Sequence, residues 1–116
     1  MTTQSEPDPD QEVAMRLLEA DEQVKRITRA MDATVVVTDR RIAVARGERI
    51  AMDIPFDRLR RIQFDVERRR PATLVVVPEL PRDEPQVLTI EPEHFEEVAH
   101  AIAIIGQRLA GLELGQ

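Results

Sequence analysis

The chain has 116 residues, of which 42% are hydrophobic and 33% charged, and a formal net charge of -6. This length suits one domain, and the apolar share is enough for a small core and too high for general disorder. The absence of Cys excludes a disulfide framework, a thiol nucleophile and a thiolate metal site. The acidic balance works against broad binding to nucleic acid or anionic lipid, which draws its strength from cationic contacts.

Met1 to Pro9 is polar and acidic with two prolines, the composition of a disordered tail, so residues 10–112 are expected to form the single domain. No apolar run reaches the length of a membrane span, and no basic-then-apolar leader follows Met1, which together lead to an expected cytoplasmic location. Asp10 is a candidate N-cap. Val13, Ala14, Leu17 and Leu18 then recur at helical spacing to about Ala20, giving a short amphipathic helix.

Beyond it the apolar period changes to two. Val24, Ile27 and Met31 mark a first strand, and Ala33 to Thr38 and Ile42 to Ala45 make a hairpin around Asp39, Arg40 and Arg41. Arg46, Gly47 and Glu48 form the next turn. Ile50, Met52 and Ile54 alternate with polar or small residues as a half-buried strand that Pro55 ends. After a short turn, Ile62, Phe64 and Val66 alternate in the same way. Thr73 to Val77 and Gln86 to Ile90 supply two further strands, bringing the number to about seven.

Pro92 suits the first position of a terminal helix whose early acids, Glu93, Glu96 and Glu97, complement the helix dipole. Phe95, Val98, Ala99, Ile102, Ile105 and Leu109 form its apolar face, and Gly111 is the expected stop. The predicted class is therefore α+β, mainly β, with an antiparallel sheet curled around one capping helix.

This order of strands and helix, with Thr38-Asp39-Arg40-Arg41-Ile42 on a hairpin and Ile54-Pro55-Phe56-Asp57-Arg58-Leu59 leading into Ile62, resembles the bacterial pleckstrin-homology-like domains, kin of GRAM domains. The resemblance spans roughly Ala20 to Ala110. It implies a partly open seven-stranded barrel of two sheets plugged at one end by the helix, without catalytic residues. Such domains serve mainly as protein-interaction or membrane-targeting modules, and bacterial ones are often oligomeric. Lipid-binding members carry a basic first hairpin loop, whereas here the loop after Met31 is short and contains Asp32, which argues against phosphoinositide-like binding.

Enzymatic readings find little support among the residues. The only serine, Ser5, lies in the tail, too far from a framework to serve a Ser-His-Asp triad. His100 lies three residues after Glu97 and four after Glu96, but one helix offers only half a metal site, and a solvated acidic face is the simpler reading. Four scattered glycines cannot build a phosphate loop, so no cofactor, catalytic residue or metal ligand is expected.

Charge is unevenly spread: Met1 to Glu22 holds seven acids and one base, and Arg58 to Arg70 holds six arginines and two acids. Arg58 and Arg61, with Arg60, precede the strand that Arg68, Arg69 and Arg70 follow, so the two groups are expected at opposite ends of it. They are the candidate contacts for an anionic partner. Without Tyr or Trp to stack on bases, nucleic acid is not the expected one, and an anionic membrane surface is the weaker alternative. Arg40 and Arg41 read as turn residues that could tether a carboxylate such as Asp57. The leading expectation is a non-catalytic scaffold that self-associates or docks on a protein, using sheet edges or the amphipathic helix through Val13, Leu17 and Leu18.

Overall fold

A computed structural model describes residues 9–68 and 70–114. Helix α1 (Pro9–Arg16) precedes four strands, β1 (Val24–Arg29), β2 (Thr34–Thr38), β3 (Arg41–Arg46) and β4 (Arg49–Pro55). A single 3-10 turn (Phe56–Arg58) leads into β5 (Leu59–Asp65), β6 (Ala72–Pro78) and β7 (Gln86–Ile90). A second 3-10 turn (Pro92–His94) then opens helix α2 (Phe95–Leu114). The strands form two antiparallel meanders, β1-β2-β3-β4 and β5-β6-β7. Together they make a partly open barrel with α2 at one end. Among the described residues no helix is long and apolar enough to cross a membrane.

The local chemistry explains the elements. β2 is an unbroken β-branched run, Thr-Val-Val-Val-Thr, and every one of its side chains is buried. Such a strand must be covered on both faces. Val35 and Val37 join Ile42, Val44, Met52 and Ile54 in the main core, which also takes Leu74, Val76, Leu88 and Ile90 from the second sheet and Val98, Ala101 and Ile105 from α2. On the opposite face, fully buried Val36 and Ala45 pack with Ala14 of α1, and Val24, Ile27 and Ile50 surround them. Burial of a valine of this kind contributes roughly 1.5–3 kcal/mol. Gly47 closes the β3–β4 hairpin at φ 60°, a conformation that glycine adopts without a side-chain penalty.

Two polar links close one corner of the barrel. Met31 donates its backbone N–H to the Thr89 carbonyl at 2.9 Å. Gln86, buried in the core phase of β7, accepts from Arg46 Nε at 3.2 Å and donates to the Ala51 carbonyl of β4 at 3.4 Å. Arg46 also binds Asp32 at 2.8 Å and the Val87 carbonyl at 3.2 Å. The acid that sets this first loop apart from a basic one is thus a structural partner.

Several expectations are corrected. Asp10 lies inside α1, which begins at Pro9 and ends at Arg16, short of Ala20. Met31 falls after β1 and is exposed. Ile50 does not share a face with Met52 and Ile54: a bulge sets Ala45 opposite Ile50 and Val44 opposite Met52, which turns Ala51 to the main core and Ile50 to α1. Val66 lies beyond β5 and is exposed. On α2, Ala101 rather than Ala99 faces the core, and the helix continues through Gly111 to Leu114. The expected tail, Met1 to Pro9, lies outside the described residues except for Pro9.

Candidate functional site

The Thr38–Arg41 turn is the most densely bonded polar feature of the described chain. Thr38 Oγ1 accepts the backbone N–H groups of Arg40 and Arg41, both at 3.0 Å, and donates to Glu22 Oε2 at 2.6 Å. Asp39 exchanges two bonds with Gln23: its carboxylate accepts the Gln23 N–H at 3.0 Å, and its own N–H donates to the Gln23 carbonyl at 2.9 Å. Arg40 pairs with Asp21 at 2.8 Å and reaches Glu19 at 3.5 Å. Arg41 grips Glu22 with two bonds of 2.9 Å and Asp53 at 3.2 Å. A bidentate guanidinium–carboxylate pair is among the stronger side-chain contacts.

The carboxylates tethered here are therefore Glu19, Asp21, Glu22 and Asp53, and not Asp57, which sits exposed in the first 3-10 turn. The Glu22 side chain is fully buried. Burial alone would raise its pKa; hydrogen bonds from the Thr38 hydroxyl and the Glu19 amide, with the Arg41 guanidinium, outweigh that and hold it below the usual carboxylate range. Asp21 is lowered chiefly by its hydrogen bond from Arg40, and Asp39 chiefly by the Gln23 amide. Arg108 of α2 donates to the Asp39 carbonyl and lies 5.9 Å from the Phe56 ring centre. A cleft of about 290 Å³ opens between Glu19, Arg40, Arg41, Asp53 and Pro55. Both of its cations already have carboxylate partners, so this turn is a clasp that fixes the connection from α1 to β1 on the sheet.

The arginines around β5 stand differently. Arg58 is exposed in the 3-10 turn, and Arg60 and Arg61 are exposed at the start of β5. Among the described residues none of the three forms an ion pair. Arg68 and Arg70 lie past the other end of the strand, where Arg70 approaches Glu67 at 3.8 Å, both side chains being largely exposed. Arg69 lies outside the described residues. The structure therefore does not merge the two groups, which a strand of seven residues keeps about 20 Å apart.

Arg60 and Arg61 line a cleft of about 250 Å³ with Val77. The register explains this neighbour: Arg61 is opposite Val77, and a bulge between Leu59 and Arg61 leaves Arg60 unpaired. Val75 is opposite Val87 on the same outward face, and Val87 is 61% exposed. Val75, Val77 and Val87 escaped the sequence analysis as site residues. The available signal was that Thr73 to Val77 is apolar in both phases, so one phase must point away from the core.

The remaining candidates separate. Val13, Leu17 and Leu18 are partly buried, and α1 lies against the outer face of the four-stranded sheet through Ala14. His94 Nδ1 is 3.0 Å from Glu97 Oε1, while His100 Nδ1 is 2.9 Å from Arg26 Nη2. His100 is thus paired with a cation, not with the acids three and four residues before it. Among the described residues no group of three or more His, Asp or Glu is arranged to hold a metal ion.

No protein-family model matches the chain, and no curated protein matches its sequence. Solved structures similar in fold include two from Shewanella species. The pleckstrin homology domain from Shewanella amazonensis SB2B has 15% identity and a TM-score of 0.59, with 80% of this chain and 88% of that chain covered. A DUF1696-family protein with a pleckstrin-homology domain from Shewanella loihica PV-4 has 16% identity and a TM-score of 0.59, with 88% of this chain and 97% of that chain covered. With seven antiparallel strands in two sheets and a helix at one end, the chain has a pleckstrin-homology-like fold.

Proposed function

We propose that residues 10–112 act as one non-catalytic protein-interaction module that docks a protein partner on the outer face of β5-β6-β7. The observation that carries this reading is a valine face with no helix over it among the described residues, partly buried Val75 and Val77 beside the 61%-exposed Val87, on a molecule that covers the equivalent face of its other sheet with α1. One exposed and two partly buried valines grouped on a sheet, with polar Arg61, Gln63 and Asp65 beside them, suit an interface with an apolar centre and a polar rim. The clasp at Thr38–Arg41 serves this role by holding α1 in place and leaving the second sheet as the available surface.

Self-association through the same valines is the homotypic form of the reading, and light scattering on the purified protein separates it from docking on another chain. The test is quantitative affinity capture from native lysate, comparing the wild type with Val75→Lys/Val87→Lys. Proteins retained by the wild type and lost with the variant are the expected result. Identical recovery by the two, together with a wild-type monomer, would contradict the reading.

A further inference from the structure

The β5 strand is the open edge of the second sheet, and its chemistry specifies what can pair with it. β5 bonds to β6 on one side, the Leu59 N–H is taken by the Phe56 carbonyl, and among the described residues no backbone hydrogen bond reaches residues 60–65 from the other side. The remaining edges are occupied differently: α2 lies against β1, β7 receives Met31 N–H and Arg46 at its carbonyls, and β4 receives Gln86 at Ala51. An open strand edge supplies the backbone groups for an added strand.

Three guanidiniums stand at this edge without ion-pair partners among the described residues, in a protein of net charge -6. Every arginine of the Thr38–Arg41 turn, by contrast, has a carboxylate. We infer that the β5 edge receives an extended acidic segment of a partner protein, its carboxylates on Arg60 and Arg61. This inference rests on the reading of the second sheet as the docking surface and names the partner's chemistry. The cleft that Arg60 and Arg61 line with Val77 opens beside both guanidiniums.

A second copy of the same strand is a poor occupant, because full-length antiparallel β5–β5 pairing would set Arg60 opposite Phe64 and Arg61 opposite Gln63, leaving both guanidiniums without a carboxylate across from them. A carboxylate-bearing strand supplies one. Arg58, the residue immediately before the strand and also exposed, extends the same positive field. Its contribution is to encounter and register more than to burial.

A fluorescein-labelled peptide of alternating glutamate and valine, and its glutamine–valine counterpart, test the inference by fluorescence anisotropy on the full chain. The acidic peptide should bind and the glutamine peptide should bind at least roughly tenfold more weakly. Arg60→Glu/Arg61→Glu should weaken the acidic peptide by a similar factor, and raising salt from about 50 to about 300 mM should weaken it severalfold. Both arginines are exposed, so circular dichroism of the variant should match the wild type. Equal affinity for the two peptides, or no change in the arginine variant, would overturn the inference. So would binding to vesicles containing phosphatidylserine, lost in that variant, without binding of the acidic peptide. Failure of the peptide while Val75→Lys/Val87→Lys still loses captured proteins would overturn the acidic segment alone and leave the docking face standing.

Discussion

The two sheets present outer faces built from the same materials and finished differently. β1-β2-β3-β4 buries Val36 and Ala45 beneath Ala14 of α1 and locks the connection with Glu22 and Arg41. β5-β6-β7 leaves Val87 61% exposed, and Arg60 and Arg61 on β5 lack ion-pair partners among the described residues. Composition does not distinguish these faces. What distinguishes them is whether another part of the chain returns to cover the valines and neutralise the arginines, and that decides which face is spent on stability and which is available for association.

A lysine placed on each face breaks the comparison most sharply. Val36→Lys forces an ammonium into a fully buried position beneath α1 and should cost roughly 4 kcal/mol or more, read by urea denaturation, whereas Val87→Lys should stay within about 0.5 kcal/mol. Similar losses at both positions would show that the second face is covered in solution. The clasp offers a smaller effect between these limits. Glu22→Gln keeps the shape but weakens charge-assisted bonds to Arg41 and should cost about 2 kcal/mol.

The clasp also has a pH signature. The folded pKa of Glu22 lies below its ordinary value of 4.5, so its contribution is fully present above that value and is lost as pH falls through the lower folded one. The stability gap between wild type and Glu22→Gln should therefore be constant near neutrality and shrink below about pH 4.5. A gap that persists unchanged at lower pH would place the effect in packing.

Much of the architecture was legible because the strands carry strong local signals. β-branched runs, proline stops and Gly47 locate β2, β4, β6 and the β3–β4 turn, and the Phe95–Leu109 pattern marks the capping helix. The face of Ile50 was not legible, because a bulge depends on how two strands register and leaves no mark on the alternation within one of them. The site was legible in part. Arg58 and Arg61 drew notice as a charge cluster, but so did Arg40 and Arg41, and only tertiary structure brings Glu19, Asp21 and Glu22 to the latter pair. Glu22 itself looks like one more acid of a solvated N-terminal stretch until Thr38 and Arg41 enclose it.

Amide hydrogen exchange over the whole chain, with and without the glutamate–valine peptide, tests the division between a spent face and an available one most directly. Added protection confined to β5-β6-β7, strongest along residues 59–65, is the expected result. Added protection over α1 and Thr38–Arg41, with β5-β6-β7 unchanged, would contradict it.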